Sequence, residues 1–142
     1  MNTVLHILCW FLLFGAVHGQ QLSARWDRNN CLIGEQVILK IQVREAPKKV
    51  YYKPYAGEIP CELLMDSSRL TQNGTLEIIG MFSDTTYRKK GTSFWEGKYT
   101  LTAWDTGVYR FPRIEILIGD SLHVIQPAPL SVTFEKQTVK DN

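Results

Sequence analysis

Apolar and polar residues alternate along most of this chain with a period of two, and no long stretch follows the 3.6-residue period of a helix. In "LSARWD", Leu22, Ala24 and Trp26 fall on one side and Ser23, Arg25 and Asp27 on the other. That pattern predicts a half-buried strand, and Asn29 and Asn30 predict a turn after it. "GEQVILKIQVRE" is the clearest strand: Val37, Leu39, Ile41 and Val43 share one face, Gln36, Lys40, Gln42 and Arg44 the other, and only Ile38 breaks the pattern. "FWEGKYTLTAW" sets Tyr99, Leu101 and Ala103 against Lys98, Thr100 and Thr102. Three short strands follow, Val108 to Phe111, Ile114 to Ile118 with its Gly119-Asp120 turn, and Leu122 to Ile125. "LSVTF" closes the pattern, with Leu130, Val132 and Phe134 alternating.

The middle of the chain is less regular. Pro47, Pro54 and Pro60 break pairing, "KVYYK" predicts a short strand, and "CELLM" fits either a strand or one helical turn. "TLEIIGMFSDTTYR" predicts a strand broken or bulged at Gly80. The preceding Asn73-Gly74 reads as a hairpin turn, or with Thr75 as an N-glycosylation sequon in a eukaryotic secretory pathway. Short strands with turn signals about every 8 to 12 residues predict a single all-β domain, an antiparallel β-sandwich or barrel. Pro112, Pro127 and Pro129 belong at sheet edges or switches, where a missing N–H costs little.

The first nineteen residues do not belong to that pattern. "MNTVLHILCWFLLFGAVHG" has no formal charge and an apolar run from Val4 to Val17, shorter than the roughly 20 residues of a comfortable membrane span. Val17 and Gly19 stand at −3 and −1 of a signal-peptidase site, so the segment reads as a cleaved export signal, with an uncleaved anchor as the alternative. One domain over residues 20–136 and a short tail over 137–142 follow, exported to the periplasm or cell envelope.

Composition then narrows the chemistry. The 142 residues carry 16 basic and 14 acidic side chains, a net charge of +2, which argues against a nucleic-acid partner and leaves the membrane only an indirect role. Beyond the signal lie two cysteines, Cys31 and Cys61, which either form a disulfide or remain buried thiols, and their spacing is not that of a zinc site. His123 is the one histidine outside the signal, so histidine-based catalysis would have to use it. Glu58, Glu62, Asp66, Asp84, Asp105 and Asp120 read as turn residues rather than acid–base pairs. No catalytic residue, cofactor or metal is expected. Trp26, Trp95 and Trp104 offer a second reading, a sugar-stacking platform of a secreted carbohydrate-binding module, in which parity points Trp104 outward.

"WDTGVYRFP" contains Asp105, Gly107 and Tyr109 in an Asp-x-Gly-x-Tyr arrangement. Such an aspartate holds backbone N–H groups, the glycine permits a close approach, and the tyrosine buries its ring while its hydroxyl reaches upstream backbone. This resembles the tyrosine corner of immunoglobulin-like sandwiches, with Phe111 where antibody domains have a cysteine, packing on the Val37 to Val43 strand. Trp104 and Arg110 are the corner residues free to face a partner.

"LIGEQVILKIQV", then "KYTLTAWDTGVYRFP", then "PLSVTF", in that order after an export signal, resemble the N-terminal immunoglobulin-like region of BatD-type proteins of Bacteroidetes. The resemblance covers roughly Leu22 to Phe134 and is weakest from Pro47 to Thr92. It implies a non-enzymatic interaction module of the bacterial envelope, with envelope proteins of the von Willebrand factor A type as partners. Members of that family are usually longer and membrane-anchored.

Overall fold

The computed structural model describes residues 21–46, 49–64 and 72–134; the segment expected to be an export signal, Asp66 and the expected C-terminal tail lie outside them. Twelve strands run through the described residues: β1 (Gln21–Trp26), β2 (Asn30–Leu32), β3 (Val37–Arg44), β4 (Val50–Tyr51), β5 (Glu58–Leu64), β6 (Gln72–Ile78), β7 (Ser83–Lys89), β8 (Thr92–Thr102), β9 (Gly107–Arg110), β10 (Ile114–Ile118), β11 (Ser121–Ile125) and β12 (Leu130–Thr133). They build an all-β sandwich, antiparallel at every pairing but one.

The first layer is β1-β3-β8, with β7 on the first part of β8. The second is β6-β5-β9-β12-β2, continued by the three-stranded β11-β10-β4. At the far end of β8, Leu101 and Thr102 pair with Ile78 and Glu77 of β6, so the layers join into one curled sheet. Val37, Leu39 and Ile41 of β3 and Tyr99 and Leu101 of β8 are fully buried, as are Ile59, Leu76, Ile116 and Leu130 opposite them. Each burial of such an aliphatic side chain contributes about 1.5–3 kcal/mol, which is what the two-residue period supplies to the fold.

β9 and β12 are the proximal half of a hairpin whose distal half is β10 and β11. Tyr109 faces Leu130, and five residues further along both strands Ile114 faces Ile125, so no residue is inserted on either side. Between the halves lie Pro112, Pro127 and Pro129, which lack the N–H a ladder needs. Gln126 Nε2 restores one bond there by donating to the Phe111 carbonyl at 2.8 Å. The prolines thus stand where the hairpin passes from the nine-stranded sheet to the three-stranded one, the switch position expected of them rather than an edge. Its tip is the two-residue Gly119-Asp120 turn between Ile118 and Ser121, and Gly119 has φ 61°, the positive φ that tight hairpins assign to glycine.

Several expectations are corrected, and several open alternatives are decided. Asn30 begins β2, a strand parallel to β12, where a turn and purely antiparallel pairing were expected. Asn73 and Gly74 are not a turn: they lie within β6, opposite Glu62 and Cys61. "CELL" is strand throughout, and the Gly80 stretch separates β6 from β7 with Gly80 at φ 76°. Phe134 is exposed, because β12 ends at Thr133. Cys31 and Cys61 are free, buried thiols. β12 and β9 separate their strands, so sheet spacing alone puts them about 14 Å apart, against the roughly 4.4–6.8 Å between Cα atoms that a disulfide requires.

Candidate functional site

At the β8–β9 corner, Tyr109 is buried and its hydroxyl donates to the Asp105 carbonyl at 2.8 Å. The acceptor is the Asp105 backbone; its carboxylate is exposed and holds no N–H. Burial, and then the nearby Asp105 charge, pushes the Tyr109 hydroxyl above the usual tyrosine range, so it stays a proton donor at neutral pH. The ring needs Gly74, where a Cβ would stand 2.9 Å from Tyr109 Cε1 and 2.8 Å from Leu63. Gly107, at φ 152°, brings the chain down onto Leu63 as well. Tyr109→Phe is expected to lower stability by about 1 kcal/mol, since water can replace the lost donor at the exposed Asp105; denaturant titration measures it.

The turn after β2 packs on this corner. Gly34 N donates to the Ala103 carbonyl at 2.9 Å, and Glu35 accepts from Leu32 N at 2.7 Å. Thr102 Oγ1 donates to the Glu35 carbonyl at 2.9 Å. A Cβ on Gly34 would meet Trp104 Cζ3 at 3.3 Å, so the indole rests on this glycine while its Nε1 donates to Glu77. Trp104 is 61% exposed nonetheless.

Arg110 is on the outer side of β9, where it pairs with Glu62 at 3.5 Å. Glu62 faces Asn73 near the start of β6, whereas Trp104 reaches Glu77 near its end. The two side chains thus open on the same side of the sandwich but do not meet. Nor do the tryptophans gather: Trp26 and Trp95 are buried, with Trp26 Nε1 donating to the Ala128 carbonyl at 2.7 Å and Trp95 Nε1 to Asp84 at 3.0 Å. A platform needing all three rings is not formed.

The largest exposed apolar cluster is elsewhere, on the distal half of the long hairpin. Ile114, Ile116 and Ile118 of β10 enter the core, which turns Leu117 outward. Leu117 is directly opposite Leu122 of β11 and Tyr51 of β4, so the three form a row across the sheet, with Val124 two residues along β11. Tyr51 is 64% exposed, Leu122 60%, Val124 52% and Leu117 38%. Among the described residues β11 pairs only with β10, so its other edge carries no strand pairing, although β1 of the opposite layer lies close to it. Sequence reasoning passed over this patch. Its signal was an inverted alternation in "SLHVI", where Leu122 and Val124 face out and His123 and Ile125 are half-buried.

The two described thiols are held in the protonated form. Burial pushes the Cys61 thiol up to about 12 and raises that of Cys31, which disfavours the reactive thiolate. The His123 side chain has no hydrogen bond or ion pair among the described residues. Among those residues no group of three or more His, Cys, Asp or Glu side chains is placed to hold a metal ion, and no helix is long and apolar enough to cross a membrane. No protein-family model matches the chain, and no curated protein matches it.

Proposed function

We propose that this chain is a non-enzymatic protein-interaction module of the bacterial cell envelope, BatD-like in kind, which docks partners on β11 and the outer face of β4-β10-β11. The observation that carries this is the exposed row Tyr51, Leu117, Leu122 on a sheet whose edge strand β11 has no second pairing partner among the described residues. Soluble folds guard open edges with charge, proline or cover, and here Leu122 and Val124 stand on the edge instead. A partner strand would satisfy the N–H and C=O groups of β11 and cover those side chains in one step. The BatD-like reading is supported by the meeting of the three resembling segments. Ile33 N donates to the Thr133 carbonyl at 3.0 Å, Gly34 N donates to Ala103, and Val132 faces Gly107.

The test uses an envelope protein of the von Willebrand factor A type as the probe. Leu122→Asp with Val124→Asp is expected to weaken its binding roughly 10- to 100-fold, the equivalent of one buried leucine, with the melting temperature little changed. Undiminished binding by a folded double variant, or none by the parent, counts against the proposal.

A further inference from the structure

The opposite outer face, that of β1-β3-β8, has a different character. Alternation that turns aliphatic residues inward turns Ser23 and Arg25 of β1, Lys40, Gln42 and Arg44 of β3, and Phe94, Glu96 and Lys98 of β8 outward. Register then places Arg25 directly opposite Lys40, and Lys40 directly opposite Lys98. Three cations stand in one row, about 5 Å apart from strand to strand, an arrangement that opposes folding by like-charge repulsion.

The acids nearby leave this face positive. Glu96 in the next row is almost buried, with Lys98 Nζ at 3.3 Å, Lys40 Nζ at 3.9 Å and the Tyr87 hydroxyl donating to it at 3.1 Å. One carboxylate therefore sits beneath two lysines and fixes them while leaving both half exposed. Asp27 accepts from Ile38 N at 2.9 Å, and Arg25 has no ion pair among the described residues. A depression of about 850 Å³ runs over β1 and β3, with Arg25, Lys40, Gln42, Arg44 and Phe94 among its walls.

We propose that this face binds an acidic polysaccharide, a glycan with a carboxylate or sulfate on successive sugar rings. The cation row is spaced at about the length of a sugar ring and crosses an open surface that a linear polymer can lie along. Ser23 and Gln42 occupy the adjoining row, where Gln42 Nε2 donates to the Tyr87 hydroxyl at 3.0 Å. Tyr87 and Phe94, both half-buried, stack at 5.2 Å with an interplanar angle of 17° in the row beyond. Four cations are fewer than the roughly 6–10 phosphate contacts of a salt-sensitive DNA-binding protein. The even overall charge conceals this segregation, because Arg25, Lys40 and Lys98 lie on three different strands and only strand register gathers them.

Affinity electrophoresis of the whole chain in gels containing polygalacturonate, neutral dextran or a single-stranded DNA oligonucleotide tests this. Retardation is expected in polygalacturonate alone, fading as salt is raised because counterion release drives binding. Arg25→Ala with Lys40→Ala keeps the 3.3 Å Lys98–Glu96 pair intact. It is expected to weaken binding about tenfold while the melting temperature holds or rises, since repulsion is relieved. Equal retardation by dextran, stronger retardation by DNA, no retardation by polygalacturonate, or unchanged binding by the folded double variant overturns the proposal.

Discussion

Phe111→Ala is expected to cost about 3–5 kcal/mol, a large fraction of the roughly 5–15 kcal/mol that holds a domain of this size. Phe111 is fully buried and follows the tyrosine corner by two residues, so its ring enters the space between the layers. It meets Trp26 at 6.1 Å and 75°, Tyr55 at 6.4 Å and 89°, and Tyr99 at 5.9 Å and 49°, edge-on or tilted arrangements that aromatic rings favour. These rings come from β1, the segment after β4, and β8. Phe111 therefore joins aromatic rings of three separate segments, in one core cluster with the inward side chains of β3. Tyr99 is further fixed, its hydroxyl accepting from Tyr55 N at 2.9 Å and bonding the Tyr52 hydroxyl at 2.6 Å, so the site cannot collapse around a missing ring. Urea denaturation measures the cost, and a loss below about 1 kcal/mol would show that the cluster does not hold the layers together.

Gly97→Val is expected to be comparably damaging, at about 3 kcal/mol or more, by adding volume where Phe111→Ala removes it. Gly97 is at an inward position of β8 between Ile41 and Asp84, and a Cβ there would overlap the Phe82 ring and stand 2.9 Å from Trp95 Cη2. Neither ring can withdraw. Phe82 packs on Tyr99 at 4.7 Å and Tyr52 at 5.3 Å, and Trp95 is tied to Asp84. Phe82→Ala provides the internal check: in that background the added side chain finds space, and the further cost of Gly97→Val should fall by at least about 1 kcal/mol. Simple additivity of the two changes would show that overlap with Phe82 is not the cause.

Strands whose two faces differ in polarity were legible: β1, β3, β8 and β10 stand where alternation put them, because the apolar face of each packs on the core. β2 escaped notice because three residues starting from an asparagine carry too little pattern. Its parallel pairing with β12 depends on two segments at opposite ends of the described chain. Asn73-Gly74 misled because the dipeptide suits a tight turn, whereas here the glycine is required by the Leu63 and Tyr109 side chains, which no local rule registers. Trp104 was rightly placed outside by parity, but its seat on Gly34 joins residues distant in the chain. The apolar patch and the cation row share that reason for being missed: Leu122 beside Leu117, and Arg25 beside Lys40 and Lys98, become neighbours only through register.

The two free thiols bear on how the domain reaches its fold. Cys31 and Cys61 are buried on strands that never adjoin, so no covalent link closes any loop among the described residues. Those residues can complete their topology without an oxidant or an isomerase, and the unfolded chain is not shortened by a cross-link there. A denaturation midpoint measured with reductant present is then the same quantity as one measured without it. The costs of Phe111→Ala and Gly97→Val accordingly report side-chain packing, with no redox contribution to subtract.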